Sequence, residues 1–73
     1  MSKPDFSILA KTWPSPFVAR TEVRNFSGGL IDSKTLANMD SQGAGPEGRF
    51  RIGRKIGYPV QSVIKWLEGR LAE

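Results

Sequence analysis

The run Arg49-Phe50-Arg51-Ile52-Gly53-Arg54-Lys55-Ile56-Gly57-Tyr58 constrains the fold more than any other part of this chain. Its two halves each alternate apolar and other residues at period two, the signature of strands, and a glycine with two cations stands between them. The spacing predicts a β-hairpin in which Phe50 and Ile52 on one strand and Ile56 and Tyr58 on the other point to the core. Arg49 and Arg51 then face solvent, and Gly53-Arg54-Lys55 makes the turn. A lone hairpin is marginal in water, so helices must cover it.

One such helix follows at once. Pro59 keeps Tyr58 extended and suits the first position of a helix. Val60, Val63, Ile64, Leu67 and Leu71 form one apolar stripe at helical spacing. Trp66 lies at the edge of that stripe, as core cover or as a partner contact, and Gly69 is expected to end or fray the helix.

Charge sets the hairpin apart as well. The chain carries 11 basic and seven acidic residues, a net charge of +4. Arg49, Arg51, Arg54 and Lys55 supply all of that excess, because the remaining basic and acidic residues balance. Cations alternating with apolar residues on a hairpin suit an anionic backbone, and the sequence pI near 10.0 agrees with an anionic partner.

Upstream, Pro4, Pro14 and Pro16 mark residues 1–16 as an arm, partly disordered, with Phe6, Leu9, Ala10 and Trp13 at helical spacing after Asp5, a candidate cap. Residues 17–73 form the domain. Phe17-Val18-Ala19-Arg20 reads as a short extended segment. Thr21 is the expected N-cap of a first helix carrying Val23 and Phe26, closed by Gly28-Gly29. Leu30 and Ile31 are expected in the core. Asp32 or Ser33 caps a second helix running to about Gln42, with Leu36 and Met39 on its packed side.

The opposite side of that second helix holds Lys34, Asn38 and Ser41, flanked by Ala37 and Gln42. Such a face is either plain solvated surface or a reading head. Asn and Gln can bond adenine through two contacts, Lys can reach guanine or phosphate, and Ala can touch a thymine methyl. The adjacent basic hairpin favours the second reading.

Other classes are excluded or weakened by composition. With 73 residues the chain buries only about 60% of its unfolded surface, so its stability is thin. It has no cysteine and no histidine, which removes disulfides, the usual transition-metal ligand sets and imidazole acid–base chemistry. The acids show no paired spacing. No enzyme, no metal, no cofactor and no catalytic residue is therefore expected. Nothing approaches the ~20 apolar residues of a membrane span, and no signal-peptide core is evident. A cytoplasmic protein without membrane association is the expectation. Residues 43–48 match G-x-G-x-x-G, but a helix precedes them and a strand follows, the reverse of the dinucleotide-binding context.

A short helix, a connection, a second helix with a polar outer face, a basic hairpin and a closing helix describe a mainly α fold with a small hairpin. This is a winged helix-turn-helix of three short helices and a two-stranded wing. Its division of labour puts the second helix in the major groove and the wing cations on phosphates.

The residues also carry a family resemblance. Ile52-Gly53-Arg54-Lys55, Tyr58 and Val63-Ile64-Lys65-Trp66-Leu67 resemble the C-terminal half of the AlpA/excisionase group of small phage and prophage DNA-binding proteins, relatives of the MerR winged-helix domain. Ser33-Lys34-Thr35-Leu36 is similar to the start of their recognition helix, and Gly45-Pro46 to the loop before their wing. The resemblance spans residues 20–71. It implies sequence-specific binding of double-stranded DNA, promoting excision or regulating transcription. Further copies on adjacent sites and an integrase or other phage protein are the additional partners it suggests. It makes Lys34, Thr35 and Asn38 base readers, and Arg51, Arg54 and Lys55 wing contacts. With the polar helix face and the hairpin, the expected interface is Lys34, Thr35, Asn38, Ser41, Gln42, Arg49, Arg51, Arg54 and Lys55. The alternative is a protein-interaction adaptor or inhibitor that uses Phe6, Trp13 and Trp66.

Overall fold

The computed structural model describes residues 5–70. Its elements run α1 (Ile8–Thr12), β1 (Phe17–Ala19), a 3-10 turn (Arg20–Glu22), α2 (Val23–Phe26), α3 (Ser33–Ser41), β2 (Phe50–Ile52), β3 (Lys55–Pro59) and α4 (Val60–Gly69). Four helices accompany a three-stranded antiparallel sheet of order β1-β3-β2. The architecture is therefore mixed α/β, where the sequence suggested a mainly α chain with two strands.

The third strand has a simple cause. β3 would otherwise leave one edge unpaired, and the short extended segment 17–19 fills it, with Val18 opposite Tyr58 and Ala19 opposite Gly57. Val18 and Tyr58 are fully buried, and with Val23, Phe26, Leu36, Val60, Val63, Ile64 and Leu67 they form the core. At roughly 1.5–3 kcal/mol for each fully buried large apolar side chain, this cluster supplies most of the driving force. Leu71, which extends the stripe of α4 in the sequence, lies outside the described residues.

The hairpin register also departs from expectation. The turn is the two residues Gly53-Arg54, and the pairs are Phe50 with Gly57, Arg51 with Ile56, and Ile52 with Lys55. Gly53 adopts φ 60° while Arg54 keeps a negative φ, the pattern of a type II′ turn, whose twist matches the flanking strands. Opposed residues share a face. Phe50 and Ile52 therefore lie on the outer side with Gly57, not on the core side with Ile56 and Tyr58. Ile52 is 73% exposed, and Phe50 packs edge-on against Phe17 at 5.2 Å between ring centroids. A Cβ on Gly57 would sit 2.7 Å from the Phe50 ring, so that position has no room for a larger residue.

Two helix ends explain the connections. Gly28 takes φ 69° and its N–H bonds the Asn25 carbonyl, while the Gly29 N–H reaches the Arg24 carbonyl, the paired bonds of a Schellman motif. The motif recurs after α3: the Gly43 N–H bonds the Asp40 carbonyl and the Ala44 N–H the Met39 carbonyl. Asp32 is the N-cap of α3, its carboxylate accepting the Thr35 N–H at 2.8 Å. Between the first motif and that cap, buried Ser27 accepts the Ile31 N–H at 3.1 Å and so holds the long connection in place.

Two smaller expectations also change. Thr21 is not an N-cap, because it falls inside the 3-10 turn whose first residue is Arg20. Leu30 is 66% exposed, since the Gly28-Gly29 reversal swings it outward, whereas Ile31 is half-buried against the core.

The part of the N-terminal arm within the described residues docks on the domain. Phe6, Leu9, Ala10 and Trp13 pack on the core, Trp13 meets Phe26 edge-to-face at 5.4 Å, and its indole N–H bonds the Phe17 carbonyl at 3.0 Å. Asp5 accepts the Ser7 N–H and hydroxyl just before α1, whose N-cap is Ser7. The order of residues 1–4 lies outside the described residues.

Candidate nucleic-acid interface

α3 is amphipathic in the way the sequence indicates. Leu36 is fully buried and Met39 half-buried, while Lys34, Thr35, Asn38, Ser41 and Gln42 are exposed and Ala37 is half-buried. Thr35 donates its backbone N–H and hydroxyl to Asp32, which holds that carboxyl below its ordinary range. Ser41 donates its hydroxyl to the Asn38 carbonyl at 2.8 Å. Lys34 and the amides of Asn38 and Gln42 are the long polar side chains this face presents.

What orients α3 is a residue the sequence reading passed over. Asp40, 6% exposed, accepts from Arg20 at 2.6 Å and from the Tyr58 hydroxyl, while the Arg20 Nε donates to that hydroxyl at 2.9 Å. Arg49 closes the cluster, its guanidinium 3.5 Å from the Asp40 carboxylate and donating to the Asp40 carbonyl at 3.2 Å. One buried acid thus joins α3, the 3-10 turn, the sheet and the base of the hairpin. The signal was legible: Asp40 follows Leu36 by four residues, which puts an acid on the packed side of the helix. Gly45 completes the enclosure, because a Cβ there would come 1.9 Å from Asp40 Oδ1.

Tyr58 reports on this cluster. Burial first, and then its hydrogen bond to Asp40, push the phenol up to about 12. The folded state therefore keeps its proton between about 10 and 12, where the unfolded chain loses it. The resulting stability is fully present below pH ~10 and is lost as pH rises toward ~12. Tyr58 is the one tyrosine in the chain, so ultraviolet absorbance can follow tyrosinate alone. We expect a midpoint near 12 for the native protein and near 10 in denaturant. Tyr58→Phe should abolish that titration.

Around the cluster lies an open cleft of about 410 Å³ between α3 and the hairpin, lined by Arg20, Ala37, Asp40, Ser41, Arg49 and Arg51 among others. The structure thus brings Ser41, Arg49 and Arg51 together. Arg49 is partly spent on Asp40, with its side chain still 51% exposed. Arg51 is exposed on the strand face shared with Ile56, steadied by donation from its Nε to the Gly53 carbonyl at 2.8 Å. Arg54 stands at the tip. Lys55 sits on the other face of the hairpin, opposite Ile52, and the hairpin cations are therefore divided between its two sides.

The residues proposed for an adaptor are occupied within the molecule. Phe6 and Trp13 pack on the core, and the Trp66 indole N–H bonds the Ala44 carbonyl at 2.6 Å, pinning the loop between α3 and β2, while the Arg70 guanidinium lies over the Trp66 ring at 5.2 Å. Among the described residues no group of three or more acids could hold a metal ion, and no helix is long and apolar enough to cross a membrane. No protein-family model and no curated protein matches this chain.

Proposed function

We propose that the chain is a winged helix-turn-helix protein that binds double-stranded DNA at specific sequences, as an excisionase-like factor or transcriptional regulator. In this reading α3 enters the major groove and the hairpin lies on the phosphate backbone. The observation that carries it is the cleft: Ala37 and Ser41 of α3, the helix that bears Lys34 and Asn38, line it together with the cations Arg49 and Arg51. A solvated helix face alone would not require guanidinium groups beside it. The short helix 20–26, the connection held by Ser27 and the closing α4 complete the arrangement. The partners that follow are duplex DNA and, by the family resemblance, further copies of the chain and an integrase or other phage protein.

Lys34 and Asn38 are the base readers of this account, with Gln42 at the end of α3 beside them. Arg51, Arg54 and Lys55 make phosphate contacts. Thr35 and Ser41 already bond within α3, which makes them supporting contacts.

Selection of bound duplexes from a randomised pool tests the reading. The wild-type protein should enrich a defined motif. Asn38→Ala should flatten the preference at one position by about 1–3 kcal/mol of discrimination while leaving the rest of the motif intact. An unenriched pool at every salt concentration would remove the claim of sequence specificity.

A further inference from the structure

The geometry points to Ile52 as an apolar wedge that enters the minor groove and kinks the duplex beside the site read by α3. Three observations carry this, and it rests on the DNA-binding reading above. The first is exposure: Ile52 is 73% exposed, next to the two-residue turn Gly53-Arg54 at the hairpin tip. The second is its company. Arg51, Arg54 and Lys55 surround it in sequence, all exposed, and Lys55 is its cross-strand partner on the same face. Ile52 ends an apolar strip that continues through Phe50 to Phe17 and Ala19, and the three cations gathered at that end suit a polyanion better than an apolar protein surface. The third is the register. Arg51 faces the α3 side of the sheet while Ile52 and Lys55 face the other.

A hairpin so divided can straddle one phosphate strand. Arg51 then lies toward the groove occupied by α3, and Ile52 with Lys55 toward the neighbouring minor groove. Isoleucine is among the side chains that proteins insert between base steps there, with cations alongside to hold the bent backbone. Behind Ile52, Phe50 stacks on Phe17 and closes over Gly57, giving the wedge a stiff base. The insertion favours pyrimidine–purine steps, which unstack most readily. Ile52 is thus a determinant of DNA shape and Asn38 one of base identity.

Duplexes of about 30 base pairs enriched by the wild-type protein, with the site permuted along longer fragments, supply the test through gel mobility. The wild type should bend its site by an angle in the range of roughly 20–90° seen for wedge-inserting proteins. Ile52→Ala should keep affinity within about threefold, because the cost of unstacking offsets the lost contact, and should abolish most of the bend. Ile52→Met should restore it. An Ile52→Ala protein that binds and bends as the wild type does would overturn the proposal and leave this apolar face to a protein partner. Failure of the wild type to bind any duplex would instead strike the DNA-binding reading, and the wedge with it. Thermal unfolding of Ile52→Ala should match the wild type, which separates either result from misfolding.

Discussion

Asp40→Ala should lower the unfolding free energy by about 3 kcal/mol, the low end of the range for removing one partner of a buried ion pair. The low end applies because Arg20 and Arg49 retain some access to water, with side chains 25% and 51% exposed. Tyr58 has no such recourse. It is fully buried, and without the carboxylate its hydroxyl has no acceptor within the cluster. For a chain of 73 residues the total stability is roughly 4–11 kcal/mol, so this one substitution removes a large share of it. Urea unfolding followed by tryptophan fluorescence measures the effect. Tyr58→Phe should cost about 1 kcal/mol and Arg49→Ala less. A loss below 1 kcal/mol for Asp40→Ala would mean that the cluster is peripheral to the fold.

The same acid shows how far the sequence could be read. Helix α3, its Asp32 cap, the glycine stops and the helix opened by Pro59 follow from local patterns of capping, periodicity and turn chemistry. The sheet did not. A three-residue strand such as Phe17–Ala19 is too short to show a period, and it becomes a strand only because β3 offers it an edge. The hairpin register was hidden for a different reason. Period-two alternation fixes the faces within each strand but not the phase between two strands, which depends on turn length. Counting Lys55 as a turn residue put Phe50 and Ile52 inside; pairing Lys55 with Ile52 puts them outside. That single residue decides whether the hairpin has a second, apolar face. Within the candidate site, the polar face of α3, the basic hairpin and the position of Asp40 on the packed side of its helix were legible, whereas the pairing of Asp40 with Arg20 was not, because their meeting depends on tertiary packing across 20 residues of chain.

Removing the wing cations should produce the largest effect on DNA binding. In Arg51→Ala/Arg54→Ala/Lys55→Ala the three exposed cations are lost without touching the Asp40 cluster, so the fold should remain. Each phosphate neutralised contributes about −0.9 to the slope of log affinity against log salt, and the triple variant should therefore flatten that slope by roughly 3. Near 0.1 M salt the corresponding loss of affinity is on the order of a thousandfold, and it should be similar on every duplex sequence. Asn38→Ala should behave oppositely, with an unchanged salt slope and an altered preference among sites. This contrast separates positioning from reading, which a single affinity cannot do.

The most direct test of the central claim, that α3 and the hairpin bind one duplex together, is an NMR titration of isotopically labelled protein with the duplex enriched from the randomised pool. The account predicts shift changes in residues 34–42 and 49–55, with the tryptophan indole signals of Trp13 and Trp66 unmoved. Changes centred on Phe6, Trp13 and Trp66, or none in α3, would contradict it.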